Sequence, residues 1–117
     1  MGIELPDTSQ LPMDFKYPGD FLKTVRLNLV DFDLWYIMNK DQVLQRLKGL
    51  QIRYPHRLLI PFARRDDNDD IACFEIGKGE EVQIIHDFAS SGHEQRKSYP
   101  TFWHWFKDAI DEMIEFE

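Results

Sequence analysis

Five consecutive residues, Asp66-Asp67-Asn68-Asp69-Asp70, gather four carboxylates and an amide where they could meet a hard cation or a basic protein. A calcium loop of the EF-hand type needs glycine at its sixth position and a bidentate glutamate at its twelfth. Ile71 and Gly77 stand at those steps, and both flanks read as strands. Asp and Asn also dominate hairpin loops for a local reason, because their side chains bond the neighbouring backbone. The run therefore reads as a solvated turn or a partner-facing loop. Asp66, Asp67, Asn68, Asp69 and Asp70 are the first candidate contact residues.

The remaining reactive side chains do not assemble into a site. His56, His86, His93, His104 and Cys73 show no CxxC, HxxxH or HExxH spacing, so zinc has no ligand pattern to use. Cys73 and His86 fall on opposite faces of a hairpin, and no lysine or helix start lies near Cys73 to activate it. No GxSxG, GxxxxGK[ST] or GxGxxG occurs, and Gly77-Lys78-Gly79-Glu80 reads as a hairpin loop. No catalytic residue, cofactor or metal follows from these residues. The aromatics say more. Trp103 and Trp105 project to different faces of one helix and cannot both be buried against one sheet, and Trp35 sits in an aromatic run. Exposed Trp beside acidic groups is the usual chemistry of an interface anchor, which adds Trp35 and Trp103 to the candidate contacts.

Positioning these residues falls to a meander. Leu58 to Ala63, Ile71 to Ile76 and Val82 to Phe88 are β-prone runs separated by the acidic cluster and by Gly77-Lys78-Gly79. With Gly79 left-handed, the second turn sets Phe74 opposite Val82, Ala72 opposite Ile84 and His86 opposite Asp70. Ala72, Phe74, Ile76, Val82 and Ile84 then share the core face. Glu75, Glu81, Gln83 and Asp87 share the other with Ile71, Cys73 and Ile85, so something must cover that face too.

Ahead of the meander, residues 1–16 read as an extended arm in which Leu11, Met13 and Phe15 alternate. Tyr17-Pro18-Gly19-Asp20 opens a helix with Phe21, Leu22, Val25 and Leu29 on its apolar side. Leu34 to Met38, aromatic and β-branched, reads as a short strand or an extended plug over the core. Asn39 caps a second helix with Gln42 completing the capping box; its wet side carries Lys40, Gln45, Arg46, Lys48 and Arg53, and Gly49 weakens it. His93 to Lys97 reads as a polar connector. Ser98 reads as the cap of a final helix whose acidic C-terminal end should fray. The expectation is one α+β domain over 1–117: an antiparallel sheet of three to four meander strands plus a short edge strand, helices mainly on one side.

Composition sets the outer bounds. The 117 residues are 43% hydrophobic, 14% aromatic and 30% charged, with a net charge of -7. That balance permits a packed core and disfavours a nucleic-acid partner, whose affinity comes from Lys and Arg. One cysteine allows no internal disulfide and fits a reducing compartment. No membrane-length apolar run and no secretory pattern in Met1 to Asp7 are present, so a soluble cytoplasmic protein is expected.

Leu59-Ile60-Pro61-Phe62-Ala63, an acidic turn, Ile71-Ala72-Cys73-Phe74, a strand ending Ile85-His86-Asp87, and Phe102-Trp103-His104-Trp105-Phe106 together resemble the SUKH superfamily. This family includes fungal cell-wall regulators of the Smi/Knr type and many bacterial immunity proteins. The chain departs from it where Asn28-Leu29-Val30 replaces an Asn-Gly-Gly-like turn, and where Asp and Asn replace a glycine in the acidic hairpin. The resemblance implies a non-catalytic binding domain, foremost an immunity protein that neutralises a cognate toxin such as a nuclease. The acidic chain suits a partner with a basic surface. A regulatory or scaffold module of the same fold is the alternative, and a small hydrolase or metal enzyme a distant one.

Overall fold

Phe74 pairs with Val82, Ala72 with Ile84 and Asp70 with His86, which is the register that keeps the apolar residues of both strands on one face. The structure, a computed structural model, describes residues 2–116. Its elements are α1 (Gly19–Arg26), β1 (Trp35–Ile37), α2 (Lys40–Arg53), β2 (Leu59–Arg65), β3 (Asp70–Glu75), β4 (Val82–His86), β5 (Gln95–Tyr99) and α3 (Phe102–Glu115). The strands form one antiparallel sheet in the order β1-β2-β3-β4-β5, an α+β fold. Pro61, which has no N–H to give, sits in β2 where the register slips between Pro61 and Ala63.

Both faces of the sheet are covered. On one, α1, α3 and the N-terminal arm meet β2, β3 and β4 in an aromatic core: Phe62 stacks on Phe74 at 4.5 Å, and Phe21 and Trp105 meet Phe62 edge-on at 5.4 and 5.0 Å. Edge-on and offset contacts suit the ring quadrupoles and fix the helices' positions. On the other face α2 lays Val43, Leu50 and Tyr54 over Leu59, Ile71, Cys73 and Ile85. Two helices on one side and one on the other account for the apolar residues that patterning leaves on the second face.

Several local expectations change. His93 to Lys97 is not a connector: Gln95–Tyr99 forms β5, an edge strand exposed along most of its length and therefore without hydrophobic alternation. Thr101 rather than Ser98 caps α3, accepting the His104 N–H, and the helix runs to Glu115 despite its acidic end. Helix α1 ends at Arg26, with Asn28 left-handed after it, so Leu29 falls outside the helix and stays exposed; Leu22, within it, is exposed as well. Thr24 is buried instead, its hydroxyl satisfied by the Asp20 carbonyl. In the arm, Leu11 is buried and Phe15 stacks on Phe74, but Met13 has a positive φ and points to solvent. The Gly77-to-Gly79 loop widens to two successive turns, closed by Lys78 N–H to Glu75 and Glu81 N–H to Lys78, with both glycines at positive φ.

Candidate partner-binding surface

The acidic turn keeps its backbone in shape with its own side chains. Asn68 Oδ1 accepts the Asp70 N–H at 2.8 Å, the bond expected of an Asx turn. Asp66 N–H donates to the Leu34 carbonyl at 2.8 Å, which fastens the tip to a second tight turn at Asp31 to Leu34. There Asp33 N–H donates to Asp31 Oδ1, and Asp33 and Leu34 both take positive φ, a strained choice for leucine. Asp31, Asp33, Asp66 and Asp69 are exposed and make no salt bridge among the described residues. Two loops far apart in sequence thus present four unpaired carboxylates on one rim.

The other members of the run have local work. Arg65 grips Asp67 with both prongs, at 2.8 and 2.9 Å, and reaches Glu112 of α3 at 2.7 Å. The Arg65 hydrogen bonds hold the Asp67 carboxyl below its usual range. Asp70 turns inward, only 8% exposed, and meets Arg96 and His86. Trp35 is buried at 4% exposure, meets Trp105 edge-on and sends its Nε1–H to Glu112, so it belongs to the core and offers no contact surface. Trp103 is 43% exposed, as an anchor would be. It precedes Glu112 by nine residues, which at about 1.5 Å and 100° per residue puts it roughly 13 Å away on the opposite side of the helix. Trp103 and the acidic rim therefore do not form one patch.

Phe88 does adjoin the rim, and no pattern of residue types or spacing singles it out. Strand β4 stops at His86; Asp87 N–H donates to the Asp69 carbonyl, and Phe88 follows at a φ of 73° with 57% of its surface exposed. Arg53 and Arg46 of α2 lie over its ring at 4.2 and 5.4 Å. Both arginines also bind Asp87, which is wholly buried. A side chain at Gly49 would meet the Arg53 guanidinium at 2.8 Å, so the glycine leaves the room through which Arg53 reaches back. Arg46 and Arg53, placed on the wet side of α2 by periodicity, are instead bonds between that helix and the sheet.

A second arginine clamp ties the end of β3 to the residue before β5. Arg57 binds Glu75 through two nitrogens, at 3.0 and 2.9 Å, and Glu94 at 3.0 Å. Burial disfavours the Glu94 carboxylate, but its bonds from backbone amides and Arg57 outweigh this and hold its pKa below the usual value. Burial pushes the Cys73 thiol up, which makes it a core residue without thiolate reactivity. Among the described residues no three His, Cys, Asp or Glu side chains converge as metal ligands, and no helix is long and apolar enough to cross a membrane. No family model, curated protein or solved structure matches the chain.

Proposed function

We propose that this chain is a non-catalytic protein-binding domain whose acidic rim docks on a basic protein, foremost as an immunity protein that neutralises a cognate toxin. The supporting observation is the pairing of two rigid turns, Asp31 to Leu34 and Asp66 to Asp69, into one rim of unpaired carboxylates beside the exposed Phe88. Turns whose backbone is already fixed cost little main-chain ordering entropy on binding, and long-range attraction speeds encounter with a basic partner. An aromatic beside them supplies the apolar anchor that charge alone lacks. Asp87 offsets one of the two positive charges of Arg46 and Arg53 over Phe88, and the four rim carboxylates outnumber the one that is left.

The toxin reading rests on the SUKH resemblance of the β2-to-α3 stretch, and the basic partner on the surface itself. Co-expression with the product of the neighbouring open reading frame tests both: growth should be protected by the chain and lost with Asp66→Asn and Asp69→Asn together. Protection that survives these substitutions would remove the rim from the account. A neighbouring product that is harmless alone would remove the toxin.

A further inference from the structure

Asp70, turned away from the acidic tip, forms the back of a cleft at the corner of β3, β4 and β5. The cleft has a volume of about 430 Å³, with Ile84 at its floor and His86, His93, Arg96 and Lys97 around it. In a chain of net charge -7, four side chains that carry or can take positive charge meet here. We propose that this cleft binds a phosphate group, with Arg96, His86, His93 and Lys97 as its ligands and Asp70 as the positioning carboxylate.

The hydrogen-bond inventory supports this assignment. Arg96 gives its Nε–H to Asp70 Oδ1 at 2.7 Å and brings Nη2 within 3.2 Å of His86 Nδ1. Of the five N–H groups a guanidinium carries, three remain for a ligand. His86 Nδ1 also lies 3.3 Å from the same Asp70 oxygen. One nitrogen cannot donate to Asp70 and accept from Arg96 at once. When Arg96 donates to Nδ1, the proton of neutral His86 sits on Nε2. In that arrangement Nε2, which has no hydrogen-bond partner among the described residues, offers its N–H to the anion.

The carboxylate does not spoil the site. Asp70 is 8% exposed and is answered by Arg96, so its effect is to fix two donors in place. His93 is carried by a loop that is itself pinned: Glu94 accepts the Gly92 N–H at 2.7 Å while held by Arg57. Lys97 lies 3.6 Å from Asp108 and 5.4 Å from the Tyr99 ring with 59% of its side chain exposed, weak surface contacts that its ammonium exchanges for the anion by turning toward the cleft. Donors from two strands and a loop approach from different directions, which suits the several oxygens of a phosphate better than the two of a carboxylate.

The test is an amide NMR titration with inorganic phosphate and with methyl phosphate at fixed ionic strength, sodium chloride serving as the control. The His86 and Arg96 amides should shift and saturate with a Kd on the order of 1 mM, and chloride should not reproduce this. Arg96→Gln should weaken binding by about tenfold or more, and Lys97→Gln and His93→Gln by several-fold each. The latter two side chains are exposed, so they carry the test even if Arg96→Gln unfolds. Asp70→Asn removes a negative charge; a positioning role requires weaker binding all the same, and tighter binding would overturn that role. Shifts that rise linearly and match chloride, or binding indifferent to Arg96→Gln and Lys97→Gln, would overturn the site. Asp66→Asn with Asp69→Asn should leave phosphate binding unchanged, which separates this cleft from the rim.

Discussion

Asp87 has no solvent contact, and two arginines of α2 reach it from the surface. Removing one member of a buried ion pair leaves the others unpaired and typically costs about 3 to 5 kcal/mol. Asp87→Ala should lose at least the lower part of that range, about 3 kcal/mol, in urea unfolding; a loss under about 1 kcal/mol would show the arginines to be satisfied by water. Gly49 gives a sharper check. In an ordinary helix Gly→Ala stabilises by about 1 kcal/mol. Here the new methyl group displaces the Arg53 guanidinium from its path to Asp87. Gly49→Ala should therefore bring no gain in the native chain, and about 1 kcal/mol of gain once Arg53→Ala has removed the obstacle.

Among the elements, the central hairpin was legible because its residues answer to one rule. Alternation places Ala72, Phe74, Val82 and Ile84 on one face, and a one-residue slip would bury Gln83 and Glu81 on the core side. Asn39 with Gln42 was legible for a similar reason, since a capping box is a local bond pattern, and both of its bonds are present. Strand β5 was not, because an edge strand that faces water shows no period to read. The clamps were hidden for a different reason. Arg46 and Arg53 look like solvated charges until Asp87 is brought beside them from 34 or more residues away. The site divided likewise: the acidic turn was visible in its composition, while the Asp31 turn, Phe88 and the inward rotation of Asp70 depend on pairing between distant segments.

The clamp on Glu94 joins the β4–β5 loop to the chain leaving α2 and gives the fold an acid limit. Its folded pKa is depressed, so the stability it contributes is complete above the unfolded value of about 4.3 and is lost as pH falls through the folded one. The stability gap between the native chain and Glu94→Gln should be widest near neutral pH and close below about pH 4. Melts at stepped pH check this; a gap that stays constant would contradict it.

For the molecule as a whole, charge is unevenly spent. Of the carboxylates described above, Asp67, Asp70, Glu75, Asp87, Glu94 and Glu112 are answered by arginines that tie elements together, so they build the fold and contribute little to the outer field. Asp31, Asp33, Asp66 and Asp69 are left to act on whatever approaches that rim. A rigid sheet covered on both faces holds them, and Phe88 follows Asp87, whose N–H meets the Asp69 carbonyl. Trp103, on the far side of α3, is free for a separate contact. The measurement that tests this account most directly is the affinity of the purified chain for the product of the neighbouring open reading frame, at low and high salt. Binding should be nanomolar to micromolar, should weaken by about tenfold or more with Asp66→Asn and Asp69→Asn, and again with Phe88→Ala, and should fall steeply with salt. Tight binding indifferent to salt and to all three substitutions would contradict it.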